Sequence, residues 1–229
     1  MIARTRIARV SRQRPRLGPF LYLSCLQYFI VQVVVGELWS PPYSWNRNAI
    51  SDLGNTVCGT FNAHQVCSPL HDLMNLSFLV LGAAMLFGSM LNRQTNLTRR
   101  GTSIGFRCME VAGAGVALVG LFPENSVSAV HGFGAALAFV LGNIAIIVLG
   151  VTLSIPLVLR IISVCLGVFA LAALVAYASS HYFGLGEGGI ERLVAYPQTV
   201  WLISTGAYML SFFRRDQSQF VGSGSPCPS

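Results

Sequence analysis

The chain contains no lysine: all fifteen basic residues among its 229 are arginine. That absence excludes Schiff-base chemistry and any mechanism with a lysine nucleophile. Charge of either sign is scarce. Only 10% of residues are charged and 53% are hydrophobic, where a soluble domain carries about a quarter charged residues. The composition excludes a soluble globular domain. It also excludes a nucleic-acid-binding surface as the meaning of the net charge of +7, because the arginines sort by membrane side rather than gathering on one face.

What is present is a series of apolar runs. Six approach the ~20 residues that cross a bilayer core as a helix: about 20–38, 73–91, 104–122, 127–150, 156–178 and 193–213. In lipid the backbone must bond to itself, so these runs are helices. The fold class is all-α, a polytopic membrane bundle of six transmembrane helices. Twelve of the fifteen arginines fall in segment 1–16, the second loop, Arg160 and the Arg214-Arg215 pair, all on one side. Basic residues accumulate in the cytoplasm, so both termini are expected there. The domains are an Arg-rich cytoplasmic segment 1–16, a transmembrane domain 17–213 with an outer loop 39–70, and a Ser-, Gly-, Pro- and Gln-rich tail 214–229 expected to be disordered.

The outer loop carries most of the recognisable chemistry. Trp39, Tyr43 and Trp45 are amphipathic rings suited to a membrane interface. The run Asn48-Ala49-Ile50-Ser51-Asp52-Leu53-Gly54-Asn55 follows, then Cys58 and Cys67. Outside the cytoplasm such a pair forms a disulfide by default. Its rival is a zinc site in which His64 and His71 join the two sulfurs. Ser68, Pro69 and Asp72 mark the start of the second helix.

Inside the third helix Arg107 and Glu110, three residues apart, are expected to pair, since ionisable groups within a span normally find each other. Glu110 shares its face with Gly113 and Ala117, a small-residue stripe that admits another helix. His131, Ala135, Ala138, Gly142 and Ala145 form a similar stripe on the fourth helix, turning His131 into the bundle.

All four histidines and six of the eight carboxylates lie outside or at outer helix ends. The sequence therefore points to an outward-open pocket. Catalytic candidates are Ser51, Asp52, His71, Asp72, His131 and His181. Candidate ligand-binding residues are Glu124, Asn125, His131, Glu191 and Arg192. His71, His131 and His181 could hold a metal, zinc being the natural choice for imidazoles. Outward helix N-termini favour an anionic group, and membrane lipid is the expected partner. No protein partner is indicated.

Three segments in order, Ile50-Ser51-Asp52-Leu53-Gly54, Leu121-Phe122-Pro123 ahead of His131, and Gly188-Gly189-Ile190-Glu191-Arg192-Leu193 with Trp201 beyond, resemble the DUF998 family of uncharacterised prokaryotic integral membrane proteins. The likeness covers about residues 17–213. It implies the multi-pass topology and a place in the cytoplasmic membrane of a prokaryote, and no reaction. Ser, Asp and His in an outer bundle mouth are also similar in composition to membrane hydrolases of the alkaline ceramidase type, although those have seven helices and a late histidine pair that this chain lacks. Three function classes follow: a protein that binds or transports a lipid or anionic ligand, a metal-dependent or serine hydrolase of a membrane lipid, and an accessory subunit.

Overall fold

In the computed structural model, residues 16–62, 64–95 and 100–222 are described, with side chains as far as residue 211. The Arg-rich stretch 1–15 and the last seven residues, 223–229, lie outside them.

The apolar runs form the helices α1 (Leu17–Ser24), α2 (Leu26–Glu37), α3 (His71–Thr95), α4 (Arg100–Leu121), α5 (Ser128–Thr152), α6 (Leu157–Ala178) and α7 (Gly186–Gly222). α1 and α2 make one rod of 21 residues, Leu17–Glu37, interrupted at Cys25. Chain neighbours run antiparallel, and the helices close a ring: α1 and α2 pack on α3, α3 on α4, α4 on α5, α5 on α6, α6 on α7 and α7 on α1. One end of the bundle carries the long loop, the 122–127 turn and the 179–185 turn. It is called the loop end below, and the opposite end the far end.

Five helices among the described residues are long and apolar enough to cross a membrane: Leu17–Glu37, α3, α4, α5 and α6. The chain is a multi-pass membrane protein of all-α class. α7, expected as the sixth span, is long enough but is not among the five. It carries Glu187, Glu191, Arg192, Gln198 and Thr199, and four of these are buried against the other helices. Protein rather than lipid surrounds its first half, so apolarity is not demanded there. α7 also runs on to Gly222, past Phe213 and into the segment expected to be disordered.

Small residues set the closest seams. A Cβ on Gly82 of α3 would lie 2.6 Å from both the Gly113 O and the Ala117 N of α4. Gly115 of α4 and Gly134 of α5 face each other in the same way, at 2.5 and 2.7 Å from backbone oxygen. Backbones this close gain dispersion contacts along their length, which is what joins helices when lipid is as apolar as they are. The stripe on α4 through Gly113 and Ala117 therefore meets α3.

The ion pair of the bundle interior corrects the expected Arg107–Glu110 pairing. Glu110 Oε1 accepts from Arg93 Nε of α3 at 2.7 Å, across the same seam, while Arg107 is exposed. Spacing along one helix gives only same-face neighbours. Here the adjacent antiparallel helix supplies the closer cation.

Candidate functional site

The long loop does not hang free over the bundle. Ser51–Gly54 coils into one turn of 3-10 helix, and every part of the run around it is tied down. Tyr43 Oη donates to Ala49 O at 2.7 Å. Ser68 Oγ donates to Leu53 O at 2.6 Å instead of capping α3, and Asn75 Nδ2 donates to Gly54 O at 2.9 Å. Ile50 N–H donates to the Glu191 carboxylate of α7. Ile50, Asp52, Leu53 and Asn55 are each at most 1% exposed.

Arg192 is the main clamp. Its Nη1 donates to Trp45 O, Asn48 O and Gly188 O at 2.9, 3.0 and 2.7 Å, and Nη2 donates to Tyr43 Oη. The guanidinium lies 5.5 Å from the Tyr43 ring centre and 5.0 Å from that of Trp45. Trp39 and Tyr43 are stacked beside it, 4.7 Å apart. Aromatic rings expected to face lipid headgroups thus form a cage around one buried cation. A close backbone approach goes with the clamp: a Cβ on Gly188 would fall 1.9 Å from Asn48 O.

Beyond Cys58 the loop folds back as a hairpin, β1 (Gly59–Phe61) on β2 (His64–Val66). Phe61 pairs with His64 and Gly59 with Val66, and Asn62 takes the left-handed conformation, φ 44°, that a tight hairpin needs. The next pair outward is Cys58 with Cys67, joined as a disulfide. The zinc reading of these sulfurs falls. The hairpin delivers His64, whose Nε2 lies 2.9 Å from Asp52 Oδ2 and whose Nδ1 lies 3.1 Å from Asn62 O. Both ring nitrogens are thus engaged with oxygen atoms.

Asp52 is the hub. Its Oδ2 also accepts from Ala49 N at 2.9 Å and Asn48 Nδ2 at 3.4 Å. Its carboxylate further meets the carboxyl of Glu124, which also contacts Ser51 and accepts from Asn55 Nδ2 at 2.9 Å. A buried carboxyl beside another carboxyl is disfavoured in its charged form. Burial first, and Asp52 second, push Glu124 up to about 8. Glu124 is therefore held toward its protonated form at neutral pH. His64, Asp52, Glu124 and Asn55 form one chain of hydrogen bonds from the hairpin to the α4–α5 turn.

A cavity of about 370 Å³ opens beside this chain. The loop contributes Ser51, Asp52 and His64, and the turn before α5 contributes Glu124. α5 supplies His131 and Ala135, α6 Leu174 and Tyr177, and α7 Glu187 and Glu191. Burial, and the charge of Asp52 after it, also raise Glu187. His131 donates Nδ1–H to Phe122 O at 2.9 Å. That bond fixes the tautomer in which Nε2 carries a lone pair. Ser51, His131, Ala135, Phe139 and Glu191 also border a smaller recess of about 40 Å³ that continues inward between Tyr28, Phe78, Leu81, Val116 and Gln198. Gln198 is 3% exposed, and its Oε1 has no hydrogen-bond partner.

Of the residues singled out in the sequence, Ser51, Asp52, Glu124, His131 and Glu191 thus meet at one cavity. His71, Asp72 and His181 do not border it, contrary to the expected convergence. His71 Nδ1 is bonded to Ser68 O at 2.8 Å, and Nε2 lies 3.4 Å from the exposed Asp72. His181 Nδ1 is bonded to Ser179 O at 2.8 Å, on the outside of the bundle. Each serves the local chain at its own helix end. Asn125 is taken by Thr56, with bonds of 3.1 and 2.9 Å. Arg192 is spent on loop carbonyls. Glu187 and Tyr177, which line the cavity, went unselected, and His64 was singled out only for the zinc alternative. The signal for His64 was in the chain, since Cys58 and Cys67 at symmetric positions about residues 62–63 make a hairpin that must place His64 beside its turn.

The arrangement holds protons and hydrogen bonds more readily than it assembles a nucleophile. The Ser51 hydroxyl meets Glu124, while His64 is occupied by Asp52 and Asn62. Among the described residues, no group of three or more His, Cys, Asp or Glu side chains is placed to hold a metal ion.

No curated protein and no solved structure matches the chain. The profile described as protein of unknown function, DUF998, matches residues 23–208. That stretch runs from α1 into α7 and takes in the whole cavity, so the chain belongs to the DUF998 family.

Proposed function

We propose that the protein binds a small amphipathic ligand whose head is cationic or rich in hydroxyls, held in the cavity at the loop end with its apolar part toward the inner recess. The same reading makes α7 a sixth span, puts both termini in the cytoplasm on the arginine count, and puts the cavity on the outer face of the cytoplasmic membrane. The observation that carries it is the lining: Asp52, Glu124, Glu187 and Glu191 border the cavity, and of its two imidazoles His64 is paired with Asp52 and His131 is bonded to Phe122 O. An anionic head, suggested by the helix N-termini, is disfavoured by this excess of carboxyls. Arg192, the guanidinium closest in sequence to the site, is engaged with carbonyl oxygens. The recess, lined by Tyr28, Phe78, Leu81 and Val116, supports a ligand with a short apolar body. Neither a hydrolase nor an accessory role has a comparable arrangement in its favour.

Hexylamine, hexanol and hexanoate have one chain length and three head charges. The purified protein in nanodiscs should be stabilised against heat by hexylamine, less by hexanol, and not by hexanoate, since a ligand that binds only the folded state raises its stability. Preferential stabilisation by hexanoate would reverse the proposal. Replacing Glu191 with Gln should weaken the hexylamine effect about tenfold, the loss of one charge-assisted hydrogen bond.

A further inference from the structure

α5 and α6 pack differently along their length. In the half toward the far end they touch closely. A Cβ on Gly150 would lie 2.6 Å from the Ser163 Cβ, and one on Gly167 would lie 2.8 Å from Asn143 O. Toward the loop end the two helices border the cavity instead, with Gly132, Ala135 and Ala136 on α5 and Leu174 and Tyr177 on α6. Gly132 and Ala136 line this cavity and are at the same time exposed. A Cβ on Gly132 would meet nothing within 4 Å. Among the described residues, the cavity is therefore open at that position.

The opening falls within the apolar, membrane-spanning stretch of α5. Ala136 is eight residues into α5, about 12 Å along the axis from Ser128 at a rise of 1.5 Å per residue. The exposed residues beside it, Phe133 and Val140 on α5 and Val175 on α6, are the apolar kind that face hydrocarbon. A gap between two spanning helices at that depth faces lipid, not water.

We infer that the ligand is a membrane lipid with a cationic head, and that it reaches the acidic cavity sideways from the leaflet at the loop end, through the cleft between the outer halves of α5 and α6. The inference rests on the reading of the cavity as an amphiphile site and adds the ligand's source and route. The head slides past Gly132 and Ala136 toward Glu187 and Glu191, while the chain stays in the cleft. Small side chains on α5 keep that passage open, and Tyr177 of α6 stands on its other wall.

The test uses the full chain in nanodiscs with two photoactivatable diazirine amines. One has a dodecyl chain and is dissolved in the bilayer. The other has a three-carbon chain and is supplied in the aqueous phase. Labelled peptides are mapped by mass spectrometry, and labelling counts only where excess untagged amine of the same length abolishes it. The variant is Gly132→Leu with Ala136→Leu, which fills the cleft at positions where the added atoms point into open space or lipid. In the wild type both probes should label cavity residues. In the variant, dodecyl labelling should fall at least tenfold, and short-amine labelling should stay within twofold. Equal labelling of wild type and variant by the dodecyl probe overturns the lateral route and leaves the cavity reading standing. Loss of both probes from a variant with an unchanged unfolding temperature means that one opening serves both, and it also overturns the route. Absence of competable labelling by either probe in the wild type overturns the cavity reading and the route together. If the double variant unfolds at lower temperature, Ala136→Val alone gives the same readout.

Discussion

The two sides of this bundle solve opposite problems with the same small residues. On the α3–α4–α5 side glycines bring backbones together: Gly82 against Gly113, Gly115 against Gly134. On the α5–α6–α7 side, at the loop end, Gly132 and Ala136 keep helices from filling the space between them. A glycine in a span therefore has no single meaning. Where a facing backbone lies within 3 Å it is a packing residue. Where nothing lies within 4 Å it leaves room.

The largest expected effect tests the closed side. Gly82→Ala puts a methyl within 2.6 Å of backbone atoms of α4 that cannot rotate away. It should cost about 3 kcal/mol and lower the unfolding temperature in nanodiscs sharply. A variant as stable as the wild type would mean that the α3–α4 seam is looser than described.

The next concerns the loop that roofs the open side. Replacing Cys58 and Cys67 with Ser releases a hairpin closed over a separation of 9 residues, worth about 2–3 kcal/mol in the chain-entropy account. Proteolysis within residues 56–66 should accelerate, because His64 loses the support that holds it on Asp52. Arg192→Lys keeps the charge but not the fork that serves Trp45 O, Asn48 O and Gly188 O. It should cost about 1–2 kcal/mol, and hydrogen exchange at Asn48–Ile50 should rise more than exchange in α3 or α4.

A smaller effect follows pH. Glu124 is raised from 4.5 to about 8 in the folded protein, so the fold prefers its protonated form. That contribution is complete below its ordinary value, about 4.5, and fades as pH rises through about 8. Wild-type stability should decline across that window. Glu124→Gln, which can still donate to Asp52, should flatten the decline; an unchanged slope in the variant would mean that another group sets it. The smallest effect belongs to the open side. Gly132→Ala should be neutral or stabilising by up to about 1 kcal/mol from helix propensity, against the large loss at Gly82. If both substitutions behave alike, the contrast between the two sides is wrong.

Much of the scaffold can be read along the chain. The apolar runs locate the first five spans within a few residues, because length and hydropathy are local quantities, whereas α7 extends well beyond its apolar run at both ends. The Cys58–Cys67 pair follows from spacing and compartment. The segments Ile50–Gly54 and Gly188–Leu193 stand out in order, and they are the pieces that meet at the cavity. The stripe through His131 also turns that residue inward, as its face requires.

What the chain alone could not settle is which groups meet across helices. Arg107 is three residues from Glu110 in sequence, yet Arg93 holds it at 2.7 Å. His71 and His181 have the same credentials as His131, yet local carbonyls take them while His64 arrives on a hairpin. Asp52 and Glu124 touch although they lie in different loops. Helical periodicity fixes the face on which a side chain lies. It does not fix the rotation and depth of the neighbouring helix, which follow from backbone approach at particular glycines and from the clamp of Arg192 on the loop. Sequence determined that this protein is a bundle of membrane helices with a stapled loop. Only the tertiary packing decided that one side closes, one stays open, and the carboxyls gather between them.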